Sequence, residues 1–113
     1  MKIEIITTPT FDREYKRLKK KYDSLPDDLL LFENELTKNP NIGIDLGGNI
    51  RKVRISVKSK NKGKSGGARV ITYHAIASFT EERILLVTIF DKSELNSISN
   101  ADIKQIIHKS GFL

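Results

Sequence analysis

The chain has 113 residues and a net charge of +6; 38% of its residues are hydrophobic, 30% are charged and none is cysteine. The absence of cysteine excludes disulfide bonds, thiolate metal ligands and a cysteine nucleophile, and the longest apolar stretch, residues 84–90, is too short to span a membrane. The first residues contain no long apolar segment of the kind found in secretory signals, so we expect one cytoplasmic domain over residues 1–113 and no membrane partner.

The N-terminal third of the chain predicts a short strand followed by two helices. Residues 2–7 alternate in the manner of a strand, and Thr8 followed by Pro9 matches the N-cap and first position of a helix. The apolar residues of this helix recur every three or four positions: Phe11, Tyr15, Leu18 and Tyr22. A second amphipathic helix follows the break at residues 24–28 and stops at residues 39–40, which are Asn-Pro.

The rest of the chain predicts three strands and a final helix. A connection rich in Gly and Asn leads to strands over residues 50–58, 68–76 and 83–90. Ser99 and Asp102 have the spacing of a capping box at the start of the last helix. The predicted order is therefore β-α-α-β-β-β-α. This is an α+β fold in which two N-terminal helices and a C-terminal helix pack on the apolar face of a mainly antiparallel sheet.

Positive charge is concentrated in the middle of the chain. Residues 46–80 contain no Asp or Glu, whereas the rest of the chain carries more acidic than basic residues. The basic residues of this segment are Arg51, Lys52, Arg54, Lys58, Lys60, Lys62, Lys64 and Arg69. Such a local excess favours a polyanionic partner: a nucleic acid, a phosphorylated ligand or an acidic protein. The alternative is a charged, solvated turn at residues 58–67 with no binding role.

Several common catalytic patterns are missing from the sequence. Residues 63–65 read Gly-Lys-Ser, but a nucleotide-binding P-loop needs a glycine where Lys58 stands, and it opens a helix rather than a strand. The two histidines, His74 and His108, are far apart and belong to no His-x-x-x-His pattern, so we expect no metal site. No nucleophile-elbow pattern supports a Ser-His-Asp triad.

Two neighbouring strands do carry side chains suited to phosphate. Lys52, Arg54 and Lys58 lie on the polar face of the first strand, and Arg69 and Tyr73 share a face of the second. Guanidinium groups bind phosphate oxygens in a fork, and a tyrosine ring can stack on a base. A lysine beside them can serve as a general base that activates an RNA 2′-OH without a metal. Passive binding of nucleic acid by the same residues is the alternative.

Three stretches carry a resemblance to a known family. They read LGGNIRKVR at residues 46–54, KGKSGGARVITY at residues 62–73 and LLVTIFDKSE at residues 85–94. With the upstream helices and the start of the final helix, the chain resembles the RelE/ParE superfamily of toxins from type II toxin–antitoxin systems, in particular its HigB-like members. The resemblance covers essentially the whole chain, and its middle stretch is the most specific part.

The resemblance implies an activity as well as a compact α+β fold. Members of the RelE and HigB branches enter the ribosomal A site and cut messenger RNA there, leaving a 2′,3′-cyclic phosphate and a 5′-OH. They use no metal or cofactor, and a cognate antitoxin protein neutralises them. The ParE branch instead inhibits DNA gyrase. We therefore expect a ribosome-dependent endoribonuclease, with a gyrase inhibitor or a non-catalytic RNA-binding module as the alternatives.

The resemblance also assigns roles to residues of this chain. The catalytic residues it implies are Arg54, Lys58, Arg69, Tyr73 and Lys92. From the resemblance and from the basic faces of the first helix and of the strand at residues 50–58, the expected RNA-binding residues are Lys52, Lys60, Lys62, Lys64, Arg17, Lys20 and Phe90. Arg69 would stabilise the charge that develops on phosphorus, and Tyr73 would orient or stack on a base. Phe90 stands where relatives commonly have Tyr, so stacking is retained without the hydroxyl, and the choice of base among the loop lysines stays open.

Overall fold

The computed structural model describes residues 2–61, 63–76 and 78–112, with Ile76 described by its backbone alone. It consists of five strands and four helices in the order β1 (Lys2–Thr7), α1 (Pro9–Lys21), α2 (Leu25–Lys38), β2 (Ile44–Gly47), β3 (Ile50–Ile55), α3 (Gly63–Gly66), β4 (Ala68–Ile76), β5 (Glu81–Asp91) and α4 (Asn100–Lys109). The predicted α+β class is confirmed.

The five strands form one sheet in the order β1-β5-β4-β3-β2. β1 lies parallel to β5, and the other neighbours are antiparallel, as the hairpin connections predicted. β2 was not predicted, because its four residues lie within a connection rich in Gly and Asn. It pairs with β3 only as far as Lys52 and does not pair with the rest of that edge.

Helices cover both faces of the sheet, whereas the sequence predicted one apolar face. α1 and α2 pack on one face, and the buried side chains of this first core include Phe11, Leu18, Phe32, Val53, Val70 and Leu86. α4 packs on the opposite face, and the second core includes Ile50, Ile71, Leu85, Val87, Ile103 and Ile107. The single-face prediction is wrong because residues 84–90 of β5 are all buried, so both faces of this central strand need apolar partners.

Two hydroxyl groups cap helices as the sequence predicted. The Thr8 hydroxyl accepts the Phe11 N–H at 2.9 Å and donates to the Val87 carbonyl at 2.7 Å, so it joins the start of α1 to β5. The Ser99 hydroxyl accepts the Asp102 N–H at 3.1 Å at the start of α4. Both caps satisfy helix N–H groups that have no partner within the helix.

The connection between β3 and β4 has a defined local fold. It contains a 3-10 turn at Lys58–Lys60 and the single-turn helix α3. At Gly67 the backbone passes so close to β3 that a Cβ atom would lie 2.1 Å from the Ile55 carbonyl oxygen. Only glycine permits this approach, which presses the loop against the end of the sheet.

No helix in the described residues is long and apolar enough to cross a membrane. Within the same residues, no three His, Asp or Glu side chains lie close enough together to hold a metal ion.

Replacing Thr8 by Val removes both of its hydrogen bonds and keeps the shape of the side chain. We expect the free energy of unfolding, measured by urea denaturation, to fall by about 1–3 kcal/mol, because Thr8 is buried and both partners are left unpaired. Thr8→Ser should keep most of the stability, and Thr10→Val, two residues away, should change it by less than about 0.5 kcal/mol. Equal stability of Thr8→Val and wild type would contradict this assignment.

Candidate functional site

Arg54 and Arg69 lie directly opposite each other on neighbouring strands. Arg54 of β3 pairs with Arg69 of β4, which pairs in turn with Phe90 of β5. The next row on the same face, two residues along, begins with Lys52. This is the face that α1 and α2 leave free, since Val53 and Ile55 turn the other way into the first core. The register therefore brings two guanidinium groups and one ammonium group together.

Arg69 is a buried cation whose hydrogen-bond partners are neutral. It is 5% exposed, and its guanidinium donates to the carbonyl oxygens of Lys64, Ser65 and Ala68 at 3.1–3.2 Å. Burial and then the neighbouring Arg54 lower the pKa of the Arg69 guanidinium from its ordinary value. Arg69 consequently fixes α3 at the end of the sheet and holds a positive charge there. Ion pairs in the described residues include neither Arg54 nor Arg69.

Lys60 points into the protein, which contradicts its predicted role in RNA binding. Its side chain is 5% exposed, and its ammonium group forms an ion pair with the fully buried carboxylate of Asp91. The same group donates to the Gly67 carbonyl at 3.2 Å and lies 5.5 Å from the centre of the Tyr22 ring. Lys60 is therefore an internal anchor of the loop, because a buried carboxylate attracts it more strongly than solvent does.

Several hydrogen-bond donors surround the buried carboxylate of Asp91. Burial by itself raises the pKa of the Asp91 carboxyl, but hydrogen bonds from Lys60, Tyr22 and Ser93 outweigh burial and hold the pKa well below its usual range. The group stays ionised, and Lys21 lies 3.4 Å from it on the solvent side. Asp91 thus joins three elements: the loop between β3 and β4, the end of α1 and the end of β5.

The predicted stacking role of Phe90 is also contradicted. Phe90 is 5% exposed and belongs to the second core, beneath α4. Its ring has no free face for a nucleotide base. Phe90 lies on β5, which helices bury from both sides in the structure, and burial of the ring follows from that position.

Tyr73 lies on the same face as Arg69 but at a distance along the strand. The fully buried Ile71 separates the two residues, and four residues of β4 correspond to about 13 Å. Tyr73 is half-buried and packs against the second core. Its predicted role as an orienting or stacking residue stays a prediction for a nucleotide that lies away from the arginine pair.

Four of the predicted lysines lie around the arginine pair with solvent access. Lys58 and Lys64 line one depression together with Arg54, and Lys52 lies next to Arg54 on β3. The Lys92 N–H donates to the Gly67 carbonyl at 3.2 Å, which places this residue beside the start of β4. The roles of these residues in RNA binding and catalysis stay predictions.

The remaining RNA-binding predictions concern residues elsewhere. Arg17 and Lys20 lie on α1, on the opposite side of the sheet. Arg17 donates to both carboxylate oxygens of Glu94 at 2.9 and 3.1 Å and also to Glu14, so its charge is already compensated. Lys20 is exposed. Lys62 lies outside the described residues.

Sequence reasoning missed the anchoring roles of Asp91 and Tyr22. One signal was available: an Asp directly after a strand can accept the N–H group two residues later, as Asp91 does from Ser93 at 2.9 Å. That signal predicts a turn at residues 91–93. It carries no information about Lys60, because the two residues are 31 positions apart.

The sequence of the chain matches a known protein family. Residues 5–111 match the sequence model of the RelE toxin of the RelE/RelB toxin–antitoxin system. The match spans nearly the whole chain and includes Arg54, Arg69, Asp91 and the loop between β3 and β4.

Replacing Asp91 by Asn leaves the buried Lys60 without a counter-ion. We expect the free energy of unfolding at neutral pH to fall by about 3–5 kcal/mol. The folded-state pKa of Asp91 is depressed, so its stabilisation is complete above the ordinary value of about 3.9 and is lost as the pH falls below it. The difference in the free energy of unfolding between wild type and Asp91→Asn should therefore become smaller below about pH 4. Urea denaturation from pH 7 to pH 3 measures it.

Two lysine variants control for the loss of positive charge in the same turn. Lys60→Met should destabilise the protein, because it leaves Asp91 buried and unpaired, whereas Lys58→Met should change the stability by less than about 0.5 kcal/mol, because Lys58 is exposed. Equal effects of the two variants would contradict the anchoring role of Lys60.

Proposed function

The chain belongs to the RelE family of toxins from toxin–antitoxin systems, and on this premise we propose that it is a cytoplasmic endoribonuclease that cuts messenger RNA in the ribosomal A site. The family works with an antitoxin partner. Ribosome dependence, the cleavage chemistry and the HigB-like branch are parts of this proposal.

The proposal rests on the pairing of Arg54 with Arg69 across β3 and β4. Arg54 and Arg69 lie opposite each other, and their mutual repulsion contributes to the lowered pKa of Arg69. Two adjacent cations that share no carboxylate form a site for an anion with several oxygens, which a phosphodiester supplies. Acidic residues near the loop have other partners: Asp91 and Glu94 bind Lys60, Lys21 and Arg17, and Glu35 forms an ion pair with Lys64.

Arg69 binds the phosphate by exchanging its carbonyl hydrogen-bond acceptors for phosphate oxygens. Its present partners are neutral carbonyl oxygens of the loop, and hydrogen bonds to a charged phosphate oxygen are roughly twice as strong as those between neutral groups. A phosphate placed beside Arg54 can therefore draw the guanidinium away from Lys64 and Ser65. Both arginines then stabilise the negative charge that develops on the phosphorus oxygens.

The cleavage step forms one P–O bond and breaks another. The RNA 2′-oxygen loses its proton to a base and attacks the adjacent phosphorus, and the bond from phosphorus to the 5′-oxygen breaks. The products are a 2′,3′-cyclic phosphate and a 5′-OH that takes up a proton. We assign the base to Lys58 or Lys64, which share a depression with Arg54; Lys60 is excluded by its ion pair.

Lys52 and Lys92 extend the positive surface on either side of the arginine pair and would bind the RNA backbone next to the cleaved bond. Tyr73 would stack on a nucleotide farther along the strand. Neither role needs a metal or a cofactor, since the charge that stabilises the transition state comes from the protein.

Arg54→Ala should lower the rate of message cleavage about 10²–10³-fold, because it removes one preorganised donor to the phosphate. Cleavage is measured in a reconstituted translation system by mapping 5′-OH ends and detecting cyclic-phosphate ends. Arg83→Ala is the matched control: this exposed arginine lies toward the other end of the sheet and should cleave like wild type. Intact message with wild-type protein would overturn the proposal, and inhibition of gyrase supercoiling would favour the ParE-type function.

Binding of a short single-stranded RNA to the protein should weaken steeply with salt. Lys58→Ala and Lys64→Ala should each make the log–log salt slope, measured by fluorescence anisotropy, shallower by about 0.7, because each removes one phosphate contact. Lys2→Ala, on the edge strand farthest from β3, should leave the slope unchanged. A slope that responds equally to all three variants would indicate non-specific attraction to the whole surface.

A further inference from the structure

Hydrogen bonds join the start of α2 to the 3-10 turn at Lys58–Lys60. The Ser24 N–H donates to the Ser59 hydroxyl, and the Ser59 N–H donates to the Ser24 hydroxyl, each at 2.8 Å. The Ser24 hydroxyl also donates to Asp28 Oδ2 at 2.6 Å. The same carboxylate oxygen accepts the Lys58 N–H at 3.2 Å. Ser24 and Asp28 therefore hold the backbone of two consecutive residues of the loop.

Ser24 is the N-cap residue of α2, but its side chain does not cap the helix. A serine at this position normally accepts a backbone N–H of the first helical turn, which stabilises the helix. The Ser24 hydroxyl makes no such bond and accepts the Ser59 N–H instead. Thr8 and Ser99, the N-cap residues of α1 and α4, both cap in the ordinary way. Proteins depart from such local rules mainly at functional sites, so the contact between Ser24 and the loop points to a function.

Asp28 is a buried carboxylate that hydrogen bonds, rather than a cation, hold in place. It is 4% exposed, and the ion pairs of the described residues include neither Asp28 nor Lys58. A buried charge is costly unless hydrogen bonds compensate for it. The Ser24 hydroxyl and the Lys58 N–H supply those bonds, and the first turn of α2 is the positive end of the helix dipole. Asp28 thus fixes the Lys58 backbone without binding its ammonium group.

The contact connects the loop to rigid parts of the protein. One turn farther along α2, Phe32 is buried in the first core, and so is Val57 immediately before the 3-10 turn. The Lys58 carbonyl accepts the Asn61 N–H at 3.0 Å. Both backbone polar groups of Lys58 are therefore bonded, one to Asp28 and the other to Asn61.

The residue that is held in this way lies beside Arg54. Asp28, Arg54 and Lys58 line the same depression of about 80 Å³. A lysine ammonium group sits on a flexible four-carbon chain, so its range of positions depends on where the backbone is fixed. Lys64 also lines the depression, but α2 contacts it through the exposed ion pair between Lys64 and Glu35. Of these two lysines, Lys58 is the one whose backbone α2 holds.

We propose that Ser24 and Asp28 are positioning residues of the endonuclease, which hold Lys58 so that its ammonium group meets the phosphate bound at Arg54. This role rests on the proposed function, in which Lys58 is a candidate base and phosphate ligand. Ser24 and Asp28 act through Lys58 and do not contact the RNA themselves. A displacement of about 1 Å in a reacting group can lower a rate about 10²-fold, so loss of these hydrogen bonds slows cleavage.

Substitutions of Asp28 test the positioning role in cleavage. Asp28→Ala removes the acceptor and should lower kcat for message cleavage about 10–100-fold in the reconstituted translation system. Asp28→Asn keeps an oxygen that can accept both bonds, so it should restore kcat to within about threefold of wild type. Asp27→Ala is the matched control, because Asp27 is the exposed neighbour of Asp28 on α2, and it should cleave like wild type.

A double-variant cycle separates positioning from a general loss of stability. If Asp28 acts through Lys58, then Asp28→Ala should lower kcat by less than about twofold in protein that already carries Lys58→Ala. Its effect on the urea midpoint should be the same in both backgrounds, because the Lys58→Ala protein keeps the backbone N–H. Effects on kcat that multiply overturn the proposal, since they indicate that Asp28 acts on the whole fold.

Affinity for a short single-stranded RNA provides a readout that does not need cleavage. Removal of a carboxylate beside basic residues should by itself strengthen RNA binding. The positioning role gives the opposite result: Asp28→Ala should weaken binding and make the log–log salt slope shallower by up to about 0.7, as Lys58→Ala does. Asp28→Asn, which loses the same charge but keeps the acceptor, should bind at least as tightly as wild type. Tighter binding by Asp28→Ala overturns the proposal.

The outcomes separate this proposal from the proposed function. Wild-type protein that leaves message intact overturns the endonuclease, and the RNA affinities then decide whether Asp28 positions Lys58. Weaker RNA binding by Asp28→Ala that is not additive with Lys58→Ala supports the positioning role, whereas additive losses overturn it. Message cleavage by wild type that Asp28→Ala leaves unchanged supports the endonuclease and overturns the positioning role.

Discussion

A carboxylate without solvent contact holds the basic end of the sheet together. Asp91 accepts hydrogen bonds from Lys60, Tyr22 and Ser93, and so joins the loop after β3 to the end of α1 and the end of β5. The Gly67 carbonyl accepts from Lys60 and from the Lys92 N–H, which extends the same network to the start of β4. The positions of the loop and of the residues it carries depend on this one buried charge.

The arginine pair depends on that framework. Like charges on neighbouring strands repel each other, and Arg69 is held in place by loop carbonyls that α3 presents to it. Without an anchored loop those carbonyls would be absent, and the buried guanidinium would lack acceptors. The carboxylates of Asp91 and Glu94 bind other cations, and neither arginine forms an ion pair within the described residues. The rest of the fold supplies the stability that this pair of like charges does not.

The free edge of β3 lies next to the same arginine pair. β2 pairs with β3 only as far as Lys52, so it does not pair with the outer edge of β3 at Arg54. Edge strands invite pairing with other chains unless something covers them.

The amino-acid sequence by itself determined the α+β class, both N-terminal helices, the bounds of β4, the two helix caps and the family, because these follow from local periodicity, capping residues and motifs. It also located the excess positive charge and the arginine pair. Only the tertiary structure decided which lysines face outward: Lys60 is turned inward by Asp91, which is 31 positions away. It also buried Phe90, since α4 covers the face that the sequence left open. Side-chain direction depends on partners distant in the chain, and local patterns contain no information about them.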